Sequence, residues 1–421
     1  MADRDASPRC LLVAHTVPPV LGGSSAVYDA LARHAGGAIA VLASRLDPAT
    51  GAELPDWRAF DAAAPYPVHR LGLVRPPLAG AAARNPVLRH AAWGTRATLL
   101  AATVARLARW HRADAVCVCD DETVGWLVPF TRHALRRRAL VYCHGDDLVE
   151  QDAAARHARR RWFAAADQVV AASAFAAARL EDAYGVVPAR IATIPNGVDL
   201  ARFRPAPEPP GLRARLGLEG RRVLLAAARL VPRKGIDRLI EALPAIRARH
   251  PEALLLVAGE GPQRPALEAL AAAAGGAAAV RFLGAVEAAA MPGLYALAEL
   301  VALPNRAEPG ESDGLPMVVL EAMACGRPVL GGLAGGTPEA VTQGETGLLV
   351  DGRDPAAIAA AVLGLLGDAV LAARLGAAGA AAAARGWGWE ARTAAFLGLC
   401  RSRGPGSSGT GNVGKAARGR P

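Results

Sequence analysis

The chain has 421 residues, a length that predicts about two to three domains. Hydrophobic residues make up 52% of the chain but aromatic residues only 5%, so the core must consist largely of Ala, Leu and Val. The net charge is +10, and residues 401–421 hold five basic residues and no acidic one, so the tail supplies half of the excess. Because the sequence has no helix-turn-helix, finger or RNP pattern, nucleic acid is not an expected partner.

The apolar runs argue against a membrane-spanning or secreted protein, and the cysteines argue against a zinc protein. No apolar run approaches the ~20 residues of a membrane span, and the run at 10–14 is too short for a signal-peptide core. We therefore expect a cytoplasmic protein. Cys117 and Cys119 have no second pair or histidine cluster nearby, which argues against structural zinc. Buried, reduced thiols and no metal are predicted.

The first half alternates short apolar runs with helical stretches rich in Ala, Arg and Leu. Such alternation is typical of a parallel sheet covered on both faces. Strands are predicted at 10–14, 39–43, 115–119, 139–143, 169–172 and 191–194, and helices from about Ser25, at 95–110 and at 153–166.

Two loops of this half are candidates for ligand binding. Gly22 and Gly23 lie between the first strand and a helix, an arrangement that brings backbone N–H groups close to phosphate, although an ordinary loop is the alternative. His144 follows strand 139–143, at the sheet edge where ligands gather in open α/β sheets. It is a candidate donor to a substrate hydroxyl or phosphate, or else a hydrogen-bonded loop histidine.

The helix at 153–166 is unusually basic. Arg156, Arg159, Arg160 and Arg161 occupy neighbouring positions beside Trp162 and Phe163. Such a helix can lie on an anionic membrane or bind an acidic acceptor. A solvated helix face is the ordinary alternative.

A Pro-rich run at 203–211 predicts a domain boundary. Beyond it, strands are predicted at 223–228, 254–258, 280–283, 299–303, 328–331 and 347–350. Loops rich in glycine and charge follow four of these strands, and the carboxyl ends of parallel strands meet at one edge. We therefore expect one crevice lined by the loops at 229–235, 259–262, 304–313 and 331–339.

The loop at 229–235 contains one of the two lysines in the sequence. Lysine occurs only at 234 and 415, whereas arginine supplies the other basic residues. A compact ammonium group is a good point-charge partner for a diphosphate, where a guanidinium is larger and planar. The pattern predicts that Lys234, with Arg229 in the same loop, binds phosphate.

The stretch from 313 to 330 predicts the centre of the site. An acidic residue and a Gly-Leu-Pro turn open a short apolar helix, which Gly326 and Pro328 end. Its free N–H groups would attract an anion. Because an unpaired buried carboxylate is costly, Glu321 is predicted to face a cleft and accept hydrogen bonds from vicinal hydroxyls. Phosphate plus diol describes a nucleotide or nucleotide-sugar; a charge interacting with the helix dipole, or a satisfied packing residue, is the alternative.

The chain is predicted to end in helices. Asp354 caps one long helical region that reaches Arg385, residues 386–390 break it, and a last helix runs to Cys400. The Gly- and Ser-rich tail beyond is expected to be disordered.

Four motifs, in this order, resemble the retaining glycosyltransferases of family 4: residues 196–199, 229–235, 259–262 and 313–329. The region 229–352 is similar to bacterial mannosyltransferases of the phosphatidylinositol-mannoside type. The resemblance implies the α/β GT-B fold, in which two Rossmann-like domains face each other across a cleft. The implied parts are an acceptor domain at 1–205, a nucleotide-sugar domain at 206–385, a crossover helix at 386–402 that packs on the first domain, and a basic tail at 403–421.

The resemblance also implies roles for individual residues. Arg229 and Lys234 would hold the diphosphate, Glu321 the ribose hydroxyls, and His144 the sugar. The other implied donor-binding residues are Gly22, Gly23, Gly259, Gly261, Gly314, Leu315 and Pro316. The family's acidic pair is usually Glu and Glu, but here Asp313 takes the first position; it keeps the charge, and its side chain is one methylene shorter, which changes its reach toward the sugar hydroxyls. Glu308 and Glu311 precede it and could compensate.

The implied activity is metal-independent transfer of a hexose, with mannose favoured, from a nucleotide-diphosphate sugar to a hydroxyl, with retention. The acceptor would be a glycan, a glycolipid, or a lipid-linked or phosphorylated molecule, with peripheral contact at the inner membrane face. The sequence leaves open a non-catalytic nucleotide-sugar-binding subunit and a sugar-nucleotide epimerase on the same fold. The first would bind donor without turnover, and the second would convert donor without acceptor.

Overall fold

The computed structural model describes residues 8–20, 22–47, 50–72, 86–119, 121–145, 147–148, 153–309 and 311–401, without the side chains of 86–93 and 121–122. The predicted disordered tail at 403–421 lies outside these residues.

The described strands form two parallel sheets. The first contains β1 (Cys10–Ala14), β2 (Ile39–Ser44), β3 (Val68–Leu71), β4 (Ala115–Val118), β5 (Arg138–Cys143), β6 (Gln168–Ala171) and β7 (Ile191–Thr193), in the order β3-β2-β1-β4-β5-β6-β7. The second contains β8 (Arg222–Ala227), β9 (Ala253–Ala258), β10 (Val280–Gly284), β11 (Leu300–Leu303), β12 (Val329–Gly332) and β13 (Leu348–Val350), in the order β10-β9-β8-β11-β12-β13. In both sheets the order reverses beside the first strand, which is where open α/β sheets bind ligands.

The central strands are continuous runs of Val, Leu and Ala that are buried along their length, as expected for strands covered on both faces. The predicted strands are all observed, with ends that differ by at most one residue. Strand β3 was not predicted. It is an edge strand of sequence Val-His-Arg-Leu whose residues are all only partly buried, so it lacks a continuous apolar pattern.

Helices cover both sheets. They are α1 (Gly23–Arg33), α2 (Trp57–Ala63), α3 (Pro86–Trp110), α4 (Asp121–Val124), α5 (Leu127–Pro129), α6 (Ala153–Ala165), α7 (Ala174–Tyr184), α8 (Leu212–Arg215), α9 (Ile236–Arg247), α10 (Arg264–Ala273), α11 (Met291–Leu297), α12 (Met317–Ala324), α13 (Thr337–Ala340), α14 (Pro355–Gly367), α15 (Ala369–Gly386) and α16 (Trp389–Cys400).

The helical region predicted from 354 to 385 is observed, but it consists of two helices and not one. Asp354 does cap α14, accepting a 2.8 Å hydrogen bond from the Ala356 N–H. Asp368, however, leaves the helical conformation and caps α15 by accepting from the Leu371 N–H, so the chain bends by 99° between the two helices. Ala-rich composition gave no sign of this break, because only a local side-chain cap marks it.

Among the described residues, no single helix combines the length and apolarity needed to cross a bilayer; the bent pair α14 and α15 meets that test only when its two helices are taken together.

The last helix lies on the first sheet. Trp389, Phe396 and Cys400 are fully buried in the same apolar cluster as β1 and α1. The Val198 N–H donates a 2.7 Å hydrogen bond to the Trp387 carbonyl, and a side chain at Gly197 would collide with the Trp389 ring. Helix α16 therefore returns from the second sheet to complete the core of the first.

The basic helix α6 is not uniformly solvated. Arg159 is 1% exposed, and its guanidinium donates to the Asp147 carbonyl and to the Tyr184 hydroxyl. Arg160 and Arg161 are exposed, although Arg160 also donates to the Ala183 carbonyl. One of the predicted surface cations is thus part of the packing.

Candidate active site

The loop after β8 carries both predicted diphosphate-binding cations. Arg229 is exposed and Lys234 lies in a short 3-10 turn, Pro232–Lys234. The neighbouring loop braces this segment: the Leu230 N–H donates to the Glu260 carbonyl at 2.9 Å. No ion pair involving Arg229 is formed within the part of the chain that the structure describes.

Gly259 and Gly261 hold that neighbouring loop in place. A Cβ at either position would overlap the backbone of residues 228–230, and Gly259 has φ +141, which favours glycine. Packing of one loop on the other explains why both residues are glycines. Their predicted contact with a donor stays a prediction.

Asp313 and Lys234 meet in an ion pair. The Lys234 ammonium lies 2.8 Å from Asp313 Oδ1, and the Arg233 Nε lies 2.8 Å from the same oxygen. Arg233 also donates to Glu311 at 2.9 Å, which assigns that glutamate a structural partner. Asp313 Oδ2 is buried and has no hydrogen-bond partner among the described residues. Asp313 Oδ1 therefore binds two cations, whereas Oδ2 accepts no hydrogen bond from the described residues.

The turn at 314–316 brings the two sheets into contact. A Cβ on Gly314 would overlap the His144 carbonyl, and the Leu315 carbonyl accepts a 2.8 Å hydrogen bond from the Asn196 amide. Helix α12 starts directly after Pro316, with no side-chain cap at its N-terminus. Uncapped N–H groups of a first helical turn are suited to an anion.

Glu321, one turn into α12, is partly exposed. The Tyr295 hydroxyl donates a 2.6 Å hydrogen bond to its Oε2. Burial raises the pKa of Glu321 above its usual value, and the Tyr295 hydrogen bond partly opposes this rise. Ionisation of the Glu321 carboxylate is therefore less favourable than for a carboxylate in water. Its predicted contact with ribose hydroxyls stays a prediction.

On the first sheet, Gly22 and Gly23 begin α1 in open space: a Cβ on either would meet no atom within 4 Å. The first turn has no acidic residue, so its N–H groups are available to an anion. Arg70 fixes the preceding loop, because its guanidinium donates to the Pro18 carbonyl while pairing with Asp61 at 2.9 Å. Arg70 lies in strand β3, which was not predicted from the sequence.

His144 is 8% exposed at the end of β5. Its Nε2 lies 2.9 Å from the Tyr28 hydroxyl, which donates to the Cys119 carbonyl at 2.8 Å. Its backbone N–H donates to the Asp147 carboxylate at 3.0 Å. His144 therefore has defined partners on the first sheet and lies against Gly314 of the second.

A second contact between the sheets involves Glu339. Its carboxylate accepts hydrogen bonds from the Ala174 N–H at 2.7 Å and the Phe175 N–H at 2.8 Å, at the N-terminus of α7. Burial raises the pKa of Glu339, and the two backbone hydrogen bonds oppose that rise. The carboxylate interacts favourably with the positive end of the helix dipole.

Within the described ranges, no group of three or more His, Cys, Asp or Glu side chains is arranged to hold a metal ion. All six cysteines are buried.

Comparison with known families agrees with this two-part layout. The family described as "Glycosyltransferase Family 4" matches residues 22–202, and the family described as "Glycosyl transferases group 1" matches residues 211–382. The chain belongs to glycosyltransferase family 4. The resemblance predicted from the four motifs is thereby confirmed.

Two curated relatives of the glycosyltransferase cover most of its length. The GDP-mannose-dependent alpha-(1-6)-phosphatidylinositol monomannoside mannosyltransferase of Mycolicibacterium smegmatis is 38% identical over 308 residues, 72% of this chain and 80% of the relative. The GDP-mannose-dependent monoacylated alpha-(1-6)-phosphatidylinositol monomannoside mannosyltransferase of Corynebacterium glutamicum is 32% identical over 398 residues, 91% of this chain and 96% of the relative.

A solved structure confirms the fold of the glycosyltransferase. Anabaena HepE, crystallised in complex with UDP, superposes with a TM-score of 0.71 over 93% of this chain and 98% of its own, at 20% sequence identity. The two-sheet architecture is the GT-B fold, as predicted.

Sequence reasoning missed several residues that shape the site of the glycosyltransferase. Tyr28, Arg233 and Tyr295 each bind a predicted site residue, and Asn196 and Glu339 join the two sheets. Asn196 lies in one of the four motifs, and Glu339 ends a predicted loop, so both had a positional signal. The two tyrosines lie inside helices and had none.

Proposed function

We propose that this glycosyltransferase transfers mannose from GDP-mannose to a hydroxyl of a lipid-linked or glycolipid acceptor, with retention and without a metal. The observation that carries the proposal is the pair of cations on Asp313 beside the uncapped start of α12. The donor and the acceptor class are those for which the two mannosyltransferase relatives are named.

The proposal assigns Lys234 to the donor diphosphate, although it is paired with Asp313 in the structure. When a diphosphate enters, Lys234 can turn to it while Arg233 stays on Asp313 Oδ1. Because Arg233 remains, the buried carboxylate is never left without a cation, which would be strongly unfavourable. Asp313 Oδ2, which has no partner among the described residues, is then placed to accept a hydrogen bond from a sugar hydroxyl.

In the proposed mechanism the bond between C1 of the sugar and the diphosphate oxygen breaks first, and an oxocarbenium-like sugar forms. Arg229 and Lys234 stabilise the negative charge that develops on the departing diphosphate, a contribution that is often the largest in catalysis. The acceptor hydroxyl attacks the same face, and its proton passes to a leaving phosphate oxygen. Glu321 would accept hydrogen bonds from the ribose hydroxyls.

A lipid-linked acceptor requires access to a membrane surface. The exposed Arg160 and Arg161 of α6 support peripheral binding to anionic lipid at the inner membrane face. Co-sedimentation with anionic vesicles should fall for Arg160→Glu/Arg161→Glu and stay absent with zwitterionic vesicles. Equal binding by the double variant would contradict this part of the proposal.

The activity is tested with purified protein, GDP-mannose and phosphatidylinositol monomannoside, in EDTA and in Mg²⁺. Release of GDP and formation of a dimannoside at equal rates in both buffers is expected. Thermal shift with GDP, UDP and ADP should single out GDP, with ~2.7 kcal/mol of stabilisation at 100 times the dissociation constant. Binding without transfer would favour a non-catalytic subunit, and conversion of donor without acceptor would favour an epimerase.

A further inference from the structure

Tyr28 occupies a position that the proposed mechanism does not use. It lies in α1, is 0% exposed, and its hydroxyl is 2.8 Å from the Cys119 carbonyl and 2.9 Å from His144 Nε2. A carbonyl oxygen can only accept, so the single hydroxyl proton is given to Cys119. The hydroxyl oxygen is then the acceptor for His144. In a neutral imidazole the proton must therefore be on Nε2.

The other ring nitrogen is consequently an acceptor. His144 Nδ1 has no hydrogen-bond partner among the described residues and is not one of the buried unsatisfied atoms. We propose that Tyr28 is a positioning residue that holds His144 in the Nε2–H tautomer, so that Nδ1 accepts a hydrogen bond from a hydroxyl of the donor sugar. The inference rests on the proposed function, which places a nucleotide-sugar in the crevice.

This assignment reverses the direction of the hydrogen bond that the sequence predicted for His144. The histidine was expected to donate to a substrate hydroxyl or phosphate. A phosphate diester or diphosphate has no proton to give at neutral pH, so a lone pair on Nδ1 disfavours it. A sugar hydroxyl can donate, and the tautomer therefore selects the sugar over the phosphate.

Two tyrosine rings pack against the imidazole of His144. Tyr28 meets His144 edge-on with ring centroids 5.2 Å apart, and Tyr142 lies 5.0 Å from His144 on another side. Tyr28 belongs to the same helix whose N-terminus carries Gly22 and Gly23. A single helix thus presents its first-turn N–H groups and fixes the tautomer of the histidine.

The tautomer can be read without any activity, by NMR of protein labelled at the imidazole nitrogens. Among nine histidines, His144→Gln identifies the signal. We expect a protonated Nε2 whose proton exchanges slowly in the wild type and in Tyr142→Phe, and rapidly in Tyr28→Phe. Tyr142 is the matched control because its hydroxyl is buried without a partner among the described residues. A proton on Nδ1 in the wild type would overturn the inference even if the proposed function holds.

Kinetics then separate positioning from simple packing. Tyr28→Phe should lower kcat/KM about tenfold, the upper range for one hydrogen bond, while Tyr142→Phe leaves it unchanged. The double variant Tyr28→Phe/His144→Ala should be no worse than His144→Ala, because both act on one contact. Multiplied losses would show that Tyr28 acts independently and would refute the positioning role.

Donor analogues test the direction of the hydrogen bond. Fluorine in place of a hydroxyl can accept but cannot donate. At the sugar position that contacts His144, mono-deoxy and deoxyfluoro GDP-mannose should be equally poor donors, and this penalty should vanish in His144→Ala. At the position whose penalty His144→Ala removes, a deoxyfluoro donor clearly better than the deoxy donor would show that His144 donates, and the inference would fail.

Discussion

Replacing Gly314 by Ala tests whether catalysis requires the contact between the two domains that the structure contains. A Cβ at this position would lie 1.9 Å from the His144 carbonyl oxygen, and real Cβ atoms essentially never approach within 3.0 Å. Both groups are backbone, so neither can rotate away. The two segments must separate by at least about 1.1 Å, the difference between those distances.

A separation of this size would widen the crevice between the two domains. A displacement of about 1 Å between catalytic groups and substrate lowers rates on the order of 100-fold. We therefore expect Gly314→Ala to reduce kcat by about two orders of magnitude. Donor affinity should fall much less, because Arg229, Lys234 and Glu321 lie in a loop and a helix that pack with the second sheet and move with it.

The assay measures kcat with GDP-mannose and the binding of GDP by calorimetry, with small-angle scattering to follow domain separation. Gly364→Ala is the matched control: it lies in α14, has nothing within 4 Å of a Cβ, and should gain roughly 0.5–1 kcal/mol of stability from the better helix former. Unchanged turnover in Gly314→Ala would show that the domains do not approach in this way during the reaction.

Three further predictions concern charge. Lys234→Ala should lower turnover by roughly 10²–10³ with an unchanged melting temperature, since Arg233 still neutralises Asp313; near-normal turnover in the folded variant would exclude a role for Lys234. Glu321→Gln should weaken GDP binding yet raise the free energy of unfolding at pH 7. The pKa of Glu321 is raised on folding, so its destabilising effect is absent below the ordinary value of 4.5 and grows as pH rises through the raised pKa. Urea titrations should therefore give a smaller difference between variant and wild type at pH 5 than at pH 7, and an equal difference would argue against this origin. Glu339→Gln should accelerate amide exchange at the start of α7 and lower kcat about tenfold, whereas unaltered exchange there would refute the contact.

Local patterns in the sequence were sufficient for most of the fold. Strands buried on both faces are continuous apolar runs, so strands such as β1 and β9 could be predicted almost to the residue. Strand β3 was not predicted, because an edge strand contacts solvent and tolerates polar residues such as His69 and Arg70. The break at Asp368 was not predicted, because the surrounding composition favours a helix and only one capping side chain marks the break.

The candidate site was predictable in its loops but not in its pairings. The glycines, Lys234 and the acidic turn lie in loops that directly follow predicted strands. The sequence therefore predicted that these loops line one crevice. The pairing of Lys234 with Asp313 joins residues from two different loops, and the contact of His144 with Gly314 joins two domains. Neither has a periodic or spacing signature. The positions of Tyr28 and Tyr295 depend on helix packing in the same way.

Helix α16 has a consequence for how the polypeptide is made. The residues of the first sheet leave the ribosome long before Trp389, Phe396 and Cys400, yet these three side chains fill one face of its core. Until they arrive, the apolar surface over β1 and α1 is open to water and to other chains. A fragment that stops near residue 205 would keep that surface exposed. Expression of the first half alone should therefore require either the last helix supplied as a peptide or a partner that covers the same face.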